Sequence, residues 1–440
     1  MSSTGDTVAG APIAYICSAY PAISHVFVLR EVVALRRLGL DVHTFSVRRT
    51  ATADLLSDAD RTEAARTHHL LPTTPVRLAR AIGRLVASGP GRTALVAGVR
   101  EAWRMRRPGA RSALWQLFYL TEAILLHDEC ARRSIRHVHA HFANVASDVA
   151  LLTAVMGAAR QPEDPWSWSF TMHGPAEFWN VREHRLSDKV QSARFVACIS
   201  DFARSQLMSL APEASWERLH VVHCGVDPAS YGRSPGARLT EPPQARLVTV
   251  GRLVAVKGQL LLIDAVAELR ARGLEVTAEI IGEGPQRPVL QRRIAELELE
   301  DIVALTGALS QDEVPARLRA ATVFVLPSFA EGVPVVAMEA MALGVPVVAS
   351  RIAGVPELIE DGVSGVLTTP SRTDELVEAI ERLVREPALR ERLAIAGREA
   401  VWRSFDVSEQ ARILVGLFHD ARGAGMLPPM PGTKGGVRTA

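Results

Sequence analysis

The chain is poor in the features that mark several protein classes. Its 440 residues include only four cysteines, Cys17, Cys130, Cys198 and Cys224, with no Cys-x-x-Cys spacing among them. That excludes a disulfide frame or a cysteine-built zinc site and suits a reducing compartment. Neither sign of charge dominates: 50 Lys and Arg stand against 48 Asp and Glu, a formal net charge of +2. Bulk charge therefore gives no reason to expect a nucleic-acid partner. No uninterrupted apolar run reaches the roughly 18 residues of a membrane span, so no transmembrane helix is expected. The opening MSSTGDTVAG has neither a basic start nor a long apolar core, so no signal peptide is expected, and the protein is expected in the cytoplasm. What is present is a 48% hydrophobic chain, long enough for two domains with full cores.

The hydrophobic pattern alternates between short buried runs and helical stretches. Residues 1–10 read as a disordered tail. Ile13 to Cys17 and Val42 to Val47 read as strands around a helix from Val26 to Leu38, the start of a βαβ unit. Residues 51–135 are mostly helical in pattern. Short strands follow at His137 to Phe142, Ser167 to Met172, Phe195 to Ile199 and His220 to His223. Residues 11–226 form a first Rossmann-like domain, and the Pro, Gly, Ser and Arg of 227–244 a linker. A second alternating set fills 245–405. Its strands begin at Leu247, Glu275 and Ile302, and its helices include Gly258 to Arg272, Pro288 to Leu297 and Gln311 to Ala320. Residues 423–440 read as a second disordered tail. The fold class is α/β, with two doubly wound domains facing across a cleft, where open sheets of this kind bind ligands.

The densest chemistry lies in Ser328 to Ser350, SFAEGVPVVAMEAMALGVPVVAS. Glu331 and Glu339 have seven residues between them, and Gly332 and Pro334 sit in the gap. A strand precedes, Pro334 is placed to open a helix, and Gly344 to stop it. The free amides of Gly332, Val333, Val335 and Val336 would then face an anion at the positive helix end. Two carboxylates flanking a diphosphate could grip hydroxyls on either side of it. A polyol–diphosphate–polyol is a nucleotide sugar. Upstream, a strand ends at Gly251 and is followed by Arg252 and Lys257, two cations able to stabilise a departing diphosphate. No Asp-x-Asp stands beside them, so no divalent metal and no other cofactor is expected.

These residues resemble the retaining glycosyltransferases of family 4, which have the GT-B fold. The resemblance rests on Glu331, Gly332, Pro334, Glu339, Ala340, Met341, Gly344 and Pro346, and on the Gly251-Arg-Leu-x(4)-Lys257-Gly258 spacing. It is strong over 246–370 and looser over 12–226. It implies that Glu331 holds hexose hydroxyls, Glu339 the ribose, and Arg252 and Lys257 the diphosphate. The Gly282-x-Gly-Pro turn would approach the donor, and Gly307 would lie beside the base. His173, in Thr-x-His-Gly, would reach the donor sugar. Residues 406–422 would form a helix crossing back to the first domain.

The N-terminal segment resembles the Pro-x-x-Ser-Glu-Thr-Phe variant of bacterial colanic-acid-type and amylovoran-type exopolysaccharide transferases. His25 and Val26 stand here where Glu and Thr are usual. Ser24, His141, Asn144 and Glu177 become acceptor-side candidates. The three histidines His137, His139 and His141 share one strand face, but alternate residues lie roughly 7 Å apart, a poor metal cage. The implied reaction moves a hexose from a nucleotide-diphosphate sugar to a hydroxyl of a glycan or lipid-linked acceptor, in cell-surface polysaccharide synthesis. A nucleotide-sugar epimerase or a non-catalytic nucleotide-sugar-binding subunit are the alternatives. Arg77 to Arg111 carries nine arginines and one acid, Glu101. Such a stretch can lie on anionic lipid at the inner membrane face, or can be an ordinary solvated surface.

Overall fold

The computed structural model describes residues 11–106, 109–231 and 244–423. The tail expected at 1–10, that expected at 423–440 apart from Gly423, which ends a helix, and most of the linker expected at 227–244 lie outside the described residues.

Among the described residues, thirteen strands form two wholly parallel sheets. The first contains β1 (Ile13–Ala19), β2 (Val42–Arg48), β3 (His68–His69), β4 (His137–His141), β5 (Ser167–Met172), β6 (Val196–Cys198) and β7 (Leu219–Val221). Its order is β3-β2-β1-β4-β5-β6-β7. The second contains β8 (Ala245–Val250), β9 (Val276–Ile281), β10 (Val303–Gly307), β11 (Val323–Leu326), β12 (Val347–Ser350) and β13 (Val366–Thr368). Its order is β10-β9-β8-β11-β12-β13. Each order reverses once, at β1/β4 and at β8/β11, and a crevice opens at the strand ends there. Gly251 and Arg252 follow β8, and Ser328 and Glu331 follow β11, so both motifs meet at the second switch point.

Helices cover both faces of each sheet, and the central strand β11 is accordingly apolar throughout instead of alternating. Every residue of β11 and of β12 is buried. The helix between them, Val335–Ala342, buries Ala337, Met338, Ala340, Met341 and Ala342. It starts one residue later than its sequence suggests, because Pro334 takes the extended N-cap conformation. At its far end Gly344, with φ +74°, lets Val345 N bond Ala340 O at 2.9 Å. Lys257 likewise does not open a helix. It ends a 3-10 turn, Ala255–Lys257, and the helix Gln259–Ala271 begins after Gly258.

Two segments tie the domains together. Val226 N donates to Phe405 O at 2.9 Å, and Val407 N to Val226 O at 3.0 Å, so the outgoing and returning chains run side by side. The helix Val407–Gly423 then packs on the first domain, where Leu414 and Phe418 join the core around Tyr15, Val28 and Val32.

Candidate functional site

At the second switch point Lys257 and Glu331 have found each other. Lys257 Nζ lies 2.7 Å from Glu331 Oε1, and Ser328 Oγ donates to the same oxygen at 2.6 Å. Glu331 is buried and is held by two donors. Beside it the helix Val335–Ala342 presents its N-terminus. Its first internal bonds run from Ala337 and Met338 to Pro334 O, so the amides of Val335 and Val336 have no partner within the helix. A fixed cation, a fixed carboxylate and free amides at a positive helix end form a place suited to a phosphate ester carrying hydroxyls.

Glu339 is engaged by the opposite domain. Arg30, on the helix Val26–Arg37, places Nη2 2.5 Å from Glu339 Oε1, and Tyr231 Oη donates to the same oxygen at 3.2 Å. Arg30 Nη2 also donates to Tyr231 Oη at 3.0 Å. Burial weakens the charge on Arg30, but Glu339 and Tyr231 outweigh it and its pKa rises. The sequence reading did not name Arg30. No local motif marks it, since its partner lies 309 residues away.

Gly332 marks where the domains touch. A Cβ there would overlap the carbonyl oxygen of His173 and stand 2.7 Å from Ile199 Cδ1. Only glycine admits this approach of the loop before Val335–Ala342 to the first domain. Gly282 has φ +145°. A Cβ there would overlap Gly251 O, so the turn packs on the backbone leading to Arg252. Gly307 O in turn accepts from Gly282 N at 2.8 Å. Val333 is buried beneath the loop.

The first-domain candidates are mostly interior. The His173 ring is buried among first-domain side chains: Nε2 lies 2.8 Å from His141 Nδ1, and Nδ1 lies 3.7 Å from Cys224 Sγ. Its ring sits against Phe142 and Phe27 at centroid distances of 4.5 and 4.7 Å. What His173 shows the loop before Val335–Ala342 is its backbone carbonyl. His141 is wholly buried behind it and lies 3.3 Å from Glu31 Oε1 through Nε2. Glu177 spends both carboxylate oxygens on backbone amides, those of Ala143, His173 and Gly174. Both residues therefore shape the cleft wall in this structure, whereas the sequence suggested contact with an acceptor. Asn144 caps the helix Val145–Arg160 by accepting from Ala146 N at 3.0 Å. Ser24 falls in the turn Ile23–His25. His25, beside it, donates from Nδ1 to Ala19 O at 3.0 Å and lies within electrostatic reach of Arg252 across the cleft.

Two metal questions follow. Glu31, His139 and His141 bring ligand atoms within 4.8 Å of one another, a grouping that requires the helix carrying Glu31 as well as the strand histidines. Both His139 nitrogens already meet hydroxyls, Ser169 Oγ at 2.7 Å and Thr171 Oγ1 at 2.9 Å, so an ion would have to displace one of them. The chain also has one Asp-x-Asp, at Asp58 and Asp60. Asp60 closes a capping box with Ser57, and Asp58 holds Arg61 at 2.6 Å.

Burial keeps several histidines neutral. It pushes His25 and His127 down to about 4, and drives His139 and His173 well below the usual range. Each adds stability that is complete above the unfolded value of 6.5 and is lost as pH falls towards its folded value. Glu122, pushed up to about 7 by burial, acts in the opposite sense, because its contribution is lost as pH rises through that value. The lowered histidines, which include His68, His69 and His220, outnumber the raised carboxyls of Glu122 and Glu177, and so predict a melting temperature that drops between pH 6.5 and pH 4. His127 stacks on Trp166 at 4.8 Å, and neither of its nitrogens has a hydrogen-bond partner among the described residues. His127→Phe keeps the stack and removes the proton site, so it should flatten part of that slope. Melts of both proteins at several pH values check this, and parallel slopes would refute it.

Residues 237–400 match the family model described as glycosyl transferases group 1. Over 171 residues the chain is 37% identical to an alpha-D-kanosaminyltransferase of Streptomyces kanamyceticus, covering 39% of this chain and 44% of that one. Over 403 residues it is 29% identical to the amylovoran biosynthesis glycosyltransferase AmsK of Erwinia amylovora, covering 88% and 94%. The chain thus spans less than half the length of the first relative and nearly all of the second. Among solved structures, sucrose-phosphate synthase from Thermosynechococcus elongatus superposes with a TM-score of 0.70 at 20% identity, over 93% of this chain and 99% of that one. Anabaena HepE in complex with UDP superposes with a TM-score of 0.69 at 18% identity, over 93% and 100%. Over residues 237–400 the chain is similar to the group 1 glycosyl transferases, and it has the GT-B fold.

Proposed function

We propose that this protein is a retaining, metal-independent glycosyltransferase of family 4 that moves a hexose from a nucleotide-diphosphate sugar to a hydroxyl of a glycan or lipid-linked acceptor. Its setting would be the assembly of a cell-surface polysaccharide. The observation that carries the reading is the Lys257–Glu331 pair set against the N-terminus of Val335–Ala342 at the sheet's switch point. In the proposed reaction the bond from the anomeric carbon to the phosphate oxygen breaks, and a bond to the acceptor oxygen forms on the same face. The acceptor proton passes to the leaving phosphate. Lys257, Arg252 and the amides of Val335 and Val336 meet the charge that builds on the diphosphate. Glu331 orients hexose hydroxyls, and Glu339 takes the ribose by exchanging partners with Arg30. The resemblance to AmsK, and to a putative colanic acid glycosyltransferase, WcaL, 29% identical over 230 residues, favours an exopolysaccharide setting.

The test is calorimetric titration with UDP, GDP and ADP and their sugars, with and without EDTA. Saturable binding of one diphosphate, unchanged by EDTA and lost in Arg252→Ala/Lys257→Ala, is the expected result. Well-folded protein that binds none of them would overturn the reading. Turnover of donor alone to an isomeric nucleotide sugar would indicate an epimerase.

A further inference from the structure

The basic stretch of the first domain has an apolar companion that its sequence spacing did not reveal. The helix Gly89–Met105 has two faces. Gly91, Ala94, Gly98, Ala102 and Met105 are buried, whereas Arg92, Val96, Val99, Arg100 and Trp103 are exposed. The first ten residues of the next helix, Ala110–Arg132, contribute no buried side chain. They carry Leu114, Trp115, Leu117 and Phe118, each between 42% and 58% exposed, and Trp103, near the end of the preceding helix, is 62% exposed. An apolar ledge of this kind is unusual on a soluble surface, where large exposed side chains are usually scattered.

The charges around the ledge are selective. Arg84 is spent on Asp128, and Arg104 on Glu101, each through two contacts. Arg100, Arg106 and Arg111 have no carboxylate within ion-pair distance among the described residues, and Arg106 lies over the Trp103 ring at 3.7 Å. Tryptophan and arginine side by side, with aliphatic side chains beyond, match the chemical layering of an anionic bilayer: phosphate, interface, acyl chain. The ledge also has a defined place. Tyr119 is within electrostatic reach of Glu183, and Arg104 of Asp188, on the short helices Val181–His184 and Leu186–Ser192. Those helices continue from Pro175–Trp179, which follows His173 and ends in the exposed Trp179.

We infer that the corner formed by Trp103, Arg106, Trp115 and Phe118 inserts into the interface of an anionic membrane and turns the acceptor side of the cleft towards it. The acceptor would then be an amphiphile whose lipid stays in that bilayer while its hydroxyl enters the cleft. The acceptor half rests on the glycosyl-transfer reading above; the membrane half does not.

The experiment is co-sedimentation of the full chain with vesicles of phosphatidylglycerol and phosphatidylcholine in equal parts, and with phosphatidylcholine alone. The expected result is binding to the anionic vesicles about tenfold or more tighter than to the neutral ones. Trp103→Ser/Trp115→Ser/Phe118→Ser and, separately, Arg100→Glu/Arg106→Glu/Arg111→Glu should each lower that binding by about tenfold. Both variants should keep the wild-type melting temperature and the wild-type affinity for nucleotide diphosphate. Wild type that stays in the supernatant, or binds the same after either change, would overturn the inference. So would a concentration-dependent dimer in sedimentation velocity that the aromatic variant abolishes, because the ledge would then be a contact between copies. Vesicle binding without nucleotide binding would retain the ledge and remove the transferase reading instead.

Discussion

Glu331→Gln is expected to lower turnover about a hundredfold or more while leaving nucleotide-diphosphate affinity within a few fold, the scale on which fixed charge at a reacting centre acts. The carboxylate holds Lys257 at 2.7 Å and Ser328 at 2.6 Å through one oxygen. Glutamine can still accept both bonds, so the loop should keep its shape. It cannot hold sugar hydroxyls with a full negative charge, and it no longer balances the lysine. Lys257→Ala should behave differently, weakening both binding and turnover. It removes the cation from the diphosphate site and leaves Glu331 buried without its counter-ion. Separate measurement of donor affinity by titration and of turnover by product release distinguishes the two patterns. Wild-type turnover in both variants, on a verified substrate, would move the site elsewhere.

Gly332→Val should be the second most damaging single change. Its Cβ would occupy the space of the His173 carbonyl, and a branched side chain would add a second collision with Ile199. Backbone carbonyls cannot yield as a flexible side chain can, so the two domains must part at this point. The expected outcome is a loss of about a hundredfold in kcat/KM, with Gly332→Ala intermediate, because small misplacements at a reacting centre cost that much. Nucleotide diphosphate, which the proposed reading places mainly on the second domain, should still bind. Small-angle scattering should show a larger radius of gyration for the valine variant. A valine variant with unchanged kcat/KM would mean that the closed contact is not the working state.

How much of this could be read from the sequence depended on whether the partners were neighbours in the chain. The two doubly wound domains were legible because buried strands and helices alternate in order, and the GT-B assignment agrees with the solved folds. Glu331, Gly332, Pro334 and Lys257 announced themselves because a strand, a turn and a helix N-terminus are local geometry. Helix boundaries slipped where capping decided them, as at Pro334 and Gly258. Roles set by distant chain segments were not legible. Glu177 carries the sequence look of a cleft-facing acid, yet two separate loops turn their amides onto it. The strand histidines were seen to share a face, but their partners Ser167, Ser169 and Thr171 belong to the neighbouring strand. The exposed aromatics of Ala110–Arg132 sit in a helix whose later turns are core, and periodicity alone does not say where the cover ends.

The contact between Arg30 and Glu339 makes the empty protein its own competitor. A guanidinium tethered to the same chain occupies the carboxylate that the proposed ribose would need, at a local concentration no free ligand matches. Apparent donor affinity is then the intrinsic affinity scaled down by the fraction of time the tether is off. Salt weakens both the tether and the diphosphate contacts, and the two losses move apparent affinity in opposite directions. Affinity measured against ionic strength should therefore rise before it falls, and Arg30→Ala should replace that hump with a plain decline.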